Sequence, residues 1–170
     1  MGQGHVHGAG ADADENLMNR QALLGRLEAV AKEHRVAALS VAGLRAEASR
    51  DPTILKADRL TVTDVDVCRD NLEATYLVRL FAEFEAPLRL YWRDVRKRRK
   101  TWQTIGAQDL IESVGAYLRV SDALRQRVQR IRELRNALVH RGGAAHLTEI
   151  ALRLCCLSLC HFLSRLPLQW

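Results

Sequence analysis

Arg135 is the residue whose position in this 170-residue chain most strongly suggests chemistry. It lies in the segment 121–143, where apolar residues recur with helical spacing and form one stripe about 120° wide. The stripe consists of Leu124, Val128, Ile131, Leu134 and Leu138. Arg135 falls inside it, and because an unpaired buried cation is costly, its guanidinium must meet an acid, a phosphate or a partner surface. Arg127 also falls inside the stripe, so predicted burial does not single out Arg135.

His140 follows Arg135 by five positions, which on a continuing helix separates the two side chains by about 140°. They converge only if the helix ends between them, and Gly142–Gly143 provides a natural stop. We therefore expect the guanidinium and the imidazole to meet at a helix terminus. The alternatives are a structural arginine paired with an acid on a neighbouring helix, and a histidine placed favourably against the helix dipole.

The elements that must position these side chains are helices. Leu and Ala dominate the apolar content, there are three prolines, and four of the ten glycines lie in the first ten residues. Five main helices with short connectors predict an all-α antiparallel bundle. The predicted helices cover about 15–49, 63 to beyond Pro87 (where a kink or a restart is expected), 107–118, 122–139 and 144–166. Three regions follow, namely a disordered tail at 1–14, an N-terminal helix at 15–50 and a helical domain at 64–166.

The segment Arg-Asn-x-x-x-His at 135–140 resembles the Arg-x(4–6)-His signature of HEPN domains. The polar residue after the arginine, here Asn136, belongs to the usual pattern, and the ending His-Arg-Gly-Gly is also typical. HEPN domains are small α-helical bundles found in toxin–antitoxin modules, antiviral systems and RNA-processing enzymes. The expected fold is therefore a HEPN-like bundle with an extra N-terminal helix.

The resemblance also includes, more weakly, an apolar helix with Phe84, Glu85 and Leu88, and the final Leu-rich helix. It covers about 64–166, so the first helix lies outside it.

The resemblance implies a metal-independent endoribonuclease without a cofactor, acting as a toxin or a defence effector. In such a mechanism His140 is the general base or acid at the RNA 2′-hydroxyl, and Arg135 holds the scissile phosphate. Asn136 orients the phosphate or the imidazole, and the product is a 2′,3′-cyclic phosphate. Glu85 is the acid expected to pair with Arg135 or to tune the site, with Glu83 as its rival.

HEPN domains usually pair so that two motifs face each other across a cleft, which implies a homodimer acting on RNA. A cognate antitoxin is a further expected partner. In one familiar group of HEPN toxins a nucleotidyltransferase modifies a tyrosine shortly before the histidine. Here Leu138 and Val139 occupy that space, so masking of the site is expected instead. The alternative function is a non-catalytic HEPN helical module that binds RNA or a nucleotide, or that dimerises.

Positive charge is concentrated in the second part of the chain. Residues 1–63 contain eight basic and eight acidic side chains, whereas 64–170 contain eighteen basic and twelve acidic and carry the whole net charge of +6. Such a surface favours polyanions. The residues expected to contact RNA phosphates are Arg93, Arg96, Lys97, Arg98, Arg99, Lys100 and Arg141. The alternative for the run 93–100 is a solvated helix end, and Trp92 and Trp102 either stack on bases or pack on the bundle.

No metal site, disulfide or membrane span is expected. Cys155, Cys156 and Cys160 lack the spacing of a zinc site, and their apolar surroundings predict core packing. His5 and His7 lack a third ligand. The chain has neither a run of about 18 uncharged apolar residues nor a signal-peptide layout, so a cytoplasmic protein is expected.

Overall fold

The computed structural model describes residues 19–98, 105–141 and 149–170, with the side chains at 98, 140–141 and 149–150 outside it. The predicted tail at 1–14 lies outside the described residues. Five α-helices pack together, and the all-α prediction is confirmed for the described part of the chain. The helices are α1 (Arg20–Arg50), α2 (Val62–Arg98), α3 (Ala107–Tyr117), α4 (Asp122–Arg141) and α5 (Glu149–Leu163), with a 3-10 helix at Pro52–Leu55.

Local sequence signals set both ends of α1 and the start of α2. Asn19 accepts a hydrogen bond from the backbone N–H of Gln21 at 2.8 Å, and α1 stops at Asp51 because the next residue is proline. Before α2, Asp64 accepts from the backbone N–H of Thr61 at 2.7 Å, and the Thr61 hydroxyl accepts from the backbone of Asp64 at 3.3 Å. Such a reciprocal pair is a capping box. The hydrogen bonds from Thr61 hold the pKa of Asp64 below its usual range.

The helix α2 is the central element and continues through Pro87, so the predicted restart of the helix is wrong. Its buried face contains Leu77, Leu80, Phe81, Phe84 and Leu88, none of which is exposed to solvent. Burial of this face offsets the missing backbone hydrogen bond at the proline, whose own ring is also buried.

The N-terminal helix α1 belongs to the same core as the other four helices. Leu23, Leu27 and Val30 join the principal cluster of buried residues. α1 runs antiparallel to α2, as the ion pairs Arg26–Glu83 at 2.7 Å and Arg45–Asp66 at 2.8 Å show. It also runs antiparallel to α5, because Arg20 at its start donates to the carbonyl oxygens of Ser164 and Leu166 at 3.0 and 2.8 Å.

An aromatic cluster joins the helices at the centre of the bundle. The rings of Phe81 and Phe84 on α2 lie 5.7 Å apart, and Phe84 contacts Phe162 on α5 at 5.5 Å in an edge-to-face arrangement. This arrangement is favourable for aromatic pairs. The ring of Phe81 thus has a fixed orientation, and Arg135 of α4 packs against this ring.

Gly115 allows α3 to approach α4 closely. A Cβ atom at this position would lie 2.5 Å from Cδ of Arg125 on α4 and 3.5 Å from the ring of Phe162. The glycine leaves space for the Arg125 side chain, which forms ion pairs with Asp122 and Glu112.

Among the described residues, none of the helices is both long enough and apolar enough to cross a bilayer.

Candidate functional site

The apolar stripe of α4 faces the core as predicted. Leu124, Val128 and Ile131 are buried, and Leu134 and Leu138 are partly buried against the same cluster. Each follows its neighbour by three or four residues, which places all of them on the side of α4 that faces α2 and α5.

Arg135 is half-buried within this stripe, whereas Arg127 is exposed. The sequence placed both residues in the stripe, each about 20° inside one of its edges, but in the structure only the side chain of Arg127 extends into water. Burial therefore distinguishes Arg135 after all.

The guanidinium of Arg135 lies over the ring of Phe81, with Cζ 5.7 Å from the ring centroid. Its Nη1 donates to the side-chain oxygen of Asn136 at 3.0 Å. Its Nε is buried and donates to none of the described residues. A cation over an aromatic face is favourable, and the stacking fixes the plane of the guanidinium.

None of the described carboxylates forms an ion pair with Arg135. This differs from the arginines elsewhere in the bundle, many of which have an acidic partner. Those with such a partner are Arg26, Arg45, Arg69, Arg79, Arg89, Arg125 and Arg132. A half-buried guanidinium with Nη2 left to donate is suited to hold an anion brought by a ligand.

Glu85 and Glu83, the two acids expected beside Arg135, have other partners. Glu85 pairs with Arg89 on the same helix, where Nε of Arg89 donates to its carboxylate at 2.8 Å. Glu83 pairs with Arg26 of α1. The expected pairing with Arg135 is not found because each acid has a closer arginine one turn away on α2 or opposite it on α1.

The helix α4 does not end between Arg135 and His140. Its backbone is helical through Arg141, so the prediction that the helix terminus brings the two residues together is wrong. The physical reason is the order of the residues: the glycines at 142–143 come after His140, and Ala137, Leu138 and Val139 contain no helix breaker. The two residues therefore leave the helix axis about 140° apart and about 7.5 Å apart along it. The side chain of His140 lies outside the described atoms.

The basic run at the end of α2 lies far from Arg135. Arg93 and Lys97 are exposed, while Arg96 lies over the ring of Trp92 at 5.9 Å. Twelve residues separate Phe81 from Arg93, so the run begins about 18 Å along α2 from the ring under Arg135. The structure does not bring the two predicted sites together. The side chains of Arg98 and Arg141, and all of Arg99 and Lys100, lie outside the described residues.

Trp92 packs on the bundle, which was one of the two predicted alternatives. Its ring is partly buried against the core and lies 6.4 Å from that of Tyr117 in an edge-to-face arrangement. Trp102 lies outside the described residues.

The cysteines of α5 pack in the core, as predicted. Cys155 and Cys156 are buried, and the sulfur atoms of Cys156 and Cys160 lie 4.0 Å apart. Hydrogen bonding with Cys160 lowers the pKa of Cys156, whereas burial raises that of Cys155. Within the described residues, no three side chains of metal-ligating type cluster closely enough to hold an ion.

Sequence reasoning missed Phe81 as the residue that positions Arg135. Its only signal was membership of the apolar run of α2 at 76–84, in which six other residues are also apolar. Pairing one of them with Arg135 requires the register between α2 and α4, which no local pattern specifies.

Comparisons of the chain with protein-family models, with curated proteins and with solved structures gave no match.

Proposed function

We propose that the chain is a HEPN-type, metal-independent endoribonuclease that acts as a homodimer and leaves a 2′,3′-cyclic phosphate. The observation that carries this proposal is the state of Arg135. It is half-buried over Phe81, has no described carboxylate partner and begins an Arg-Asn-x-x-x-His motif. A phosphate would supply the missing anion.

The proposed reaction is an internal transesterification of RNA. An imidazole takes the proton of the 2′-hydroxyl, the 2′-oxygen attacks the adjacent phosphorus, and the bond from phosphorus to the 5′-oxygen breaks. The departing 5′-oxygen receives a proton and leaves as a hydroxyl. Arg135 stabilises the charge that develops on the phosphate oxygens, and Asn136, already hydrogen-bonded to Arg135 at 3.0 Å, fixes the guanidinium plane.

In the proposed dimer the imidazole comes from a second copy of the chain. This arrangement is favoured because helix geometry places positions 135 and 140 of one copy about 140° apart around the axis of α4. Two copies related by a twofold axis can place Arg135 of each beside His140 of the other. The active site would then be composite, and the dimer would be the catalytic unit.

Basic residues at the end of α2 would bind RNA away from the cleavage point. Arg93 and Lys97 are exposed and lie about 18 Å or more along α2 from the ring under Arg135. Contacts at that distance add affinity without sequence preference. As a toxin or a defence effector, such an enzyme would be controlled by a cognate antitoxin that masks the cleft.

Cleavage of total RNA in the presence of EDTA tests the proposal. The unaltered protein is expected to cleave, and Arg135→Ala and His140→Ala are each expected to lose at least about a hundredfold in rate. Arg135→Lys is also expected to lose most of the activity, because an ammonium has neither the planar fork nor the stacking surface of a guanidinium. Arg130→Ala, an exposed arginine on the same helix, serves as the matched control and should cleave normally.

Retention of cleavage by Arg135→Ala would contradict the proposal. So would a cleavage product that ends in a 3′-hydroxyl, because attack by the 2′-oxygen cannot produce it.

The second candidate is a non-catalytic module that binds RNA through Arg135 and the basic run. The observation that favours it is the divergence of Arg135 and His140 along α4, which leaves one copy without an adjacent base. This candidate predicts RNA binding that Arg135→Ala weakens, with no cleavage at any protein concentration.

A further inference from the structure

A groove between α1 and α5 is separate from the Arg135 site. It has a volume of about 460 Å³ and is half-enclosed, which lies within the usual range for ligand pockets, roughly 300–1,000 Å³. Arg135 projects from α4 onto α2, whereas this groove is formed by α1 and α5. Its lining residues are Glu28, Ala31, Lys32, His34, Arg35, Leu152, Arg153, Cys156 and Leu157.

The floor of the groove is mostly apolar and includes one buried histidine. Leu152 and Cys156 of α5 are buried. His34 of α1 is 2% exposed, and its ring meets that of Tyr76 edge-on at 5.2 Å. Its Nε2 has no hydrogen-bond partner among the described residues, and the closest carboxylate oxygen, on Glu73, is 3.6 Å away. Leu157 extends the apolar wall to the surface, with 57% of its area exposed.

The rim of the groove is strongly cationic. Lys32, Arg35 and Arg153 are exposed and line it from both helices. None of the three forms an ion pair with a carboxylate in the described part of the chain, and Glu28 is the single acid in the lining. Three positive charges against one negative charge produce a field that attracts anions into the groove.

We propose that the α1–α5 groove binds a small phosphorylated ligand of the nucleoside phosphate class. Its phosphates would pair with Arg153, Lys32 and Arg35 at the rim, through charge-assisted hydrogen bonds. Its base or sugar would cover Leu152 and Leu157. This combination of a polar, charged edge and an apolar wall is the ordinary chemistry of a nucleotide pocket.

The lining favours a small ligand over a strand of RNA. Surfaces that bind single-stranded nucleic acid stack successive bases on exposed aromatic side chains. His34 is the one aromatic ring in this lining, and it is buried at the floor rather than displayed at the surface. A groove between two helices, with its apolar wall formed by Leu152 and Leu157, suits one base better than several.

Calorimetric titration of the full chain with adenosine diphosphate in EDTA tests this assignment. Saturable binding is expected, weakened about tenfold by Arg153→Ala and about as much by Lys32→Ala. Glu28→Gln should tighten binding, because it removes the one negative charge of the lining. Arg153→Ala and Lys32→Ala each lower the net charge by one unit, whereas Glu28→Gln raises it by one unit. All three residues are exposed, so the fold should be retained.

Inorganic phosphate and adenosine test the phosphate part and the nucleoside part of the ligand separately. Competition by phosphate is expected, and adenosine alone should bind much more weakly than the diphosphate. Arg130→Ala, which removes a positive charge outside the groove, should bind adenosine diphosphate normally.

Several results would overturn the assignment. These are no binding of adenosine diphosphate at millimolar concentration, equal binding of adenosine, or affinity that the groove variants do not change. Loss of binding in Arg135→Ala with retention in Arg153→Ala would place the ligand at the motif instead. Binding of an RNA oligonucleotide alone, sensitive to Lys32→Ala, would make the groove an RNA contact.

Discussion

Arg135 is positioned by one aromatic ring and one amide. The ring of Phe81 lies under the guanidinium at 5.7 Å, and Asn136 accepts from its Nη1 at 3.0 Å. Phe81 itself is fixed by contact with Phe84 at 5.7 Å. The arginine of the motif is therefore supported from α2, so loss of the Phe81 ring should weaken anion binding by Arg135.

Phe81→Leu should weaken RNA binding by about three- to tenfold, because it removes the aromatic face while keeping an apolar side chain. Phe162→Leu is the matched control. Phe162 is equally buried in the same cluster, but its ring contacts Phe84 and is not the one under Arg135. Filter binding of labelled RNA, at a temperature where both variants are folded, measures the difference. Equal losses of affinity in the two variants would show that Phe81 does not act through Arg135.

The positions of the helices were the part of the fold that could be predicted best from the sequence. All five were located from apolar spacing and from helix breakers, and α3 was placed to within one residue of its end. The stop at Asp51 follows from proline stereochemistry, which is local and therefore readable from the sequence. The start of α2 was placed one or two residues late because the cap is Thr61, and Thr63 offered a similar side chain.

The site was less predictable than the helices that carry it. Burial of Arg135 followed from its place in the stripe of α4, but the ring of Phe81 and the partners of Glu83 and Glu85 depend on helix register. Register is fixed by packing between distant segments, which no short sequence pattern encodes. The convergence of Arg135 and His140 failed for a local reason, since the helix stop follows His140.

Gly43→Ala should stabilise the protein by about 1 kcal/mol, which raises the melting temperature by about 2–4 °C. Gly43 lies inside α1, its backbone is helical, and a Cβ there would meet nothing within 4 Å. Gly115→Ala is the opposing variant. Its Cβ would lie 2.5 Å from Arg125, so it should destabilise by about 1 kcal/mol or more. Thermal unfolding by circular dichroism measures both, and destabilisation by Gly43→Ala would show that α1 is not continuous at this point.

Within the whole molecule, α1 is part of the core and also forms one wall of the α1–α5 groove. Leu23, Leu27 and Val30 are buried in the principal core cluster, while Lys32 and Arg35 of α1 line the groove. Arg135 on α4 and the α1–α5 groove are thus separate places in the bundle. RNA cleavage and binding of a phosphorylated ligand should be separable by substitution.

In the proposed enzyme, two copies of the chain share each active site. Mixing Arg135→Ala with His140→Ala, after unfolding and refolding them together, tests whether the site is shared. In a composite site each mixed dimer regains one complete site, so random pairing should restore about a quarter of the unaltered activity. Mixing Arg135→Ala with the Arg135→Ala/His140→Ala double variant provides the control and should restore none.

The same mixture should contain dimers, which sedimentation can verify before RNA is added. Cleavage near a quarter of the unaltered rate is expected if two copies share each site. An inactive mixture of folded, dimeric variants, beside an active unaltered protein, would contradict a shared site and place Arg135 and His140 in the same copy.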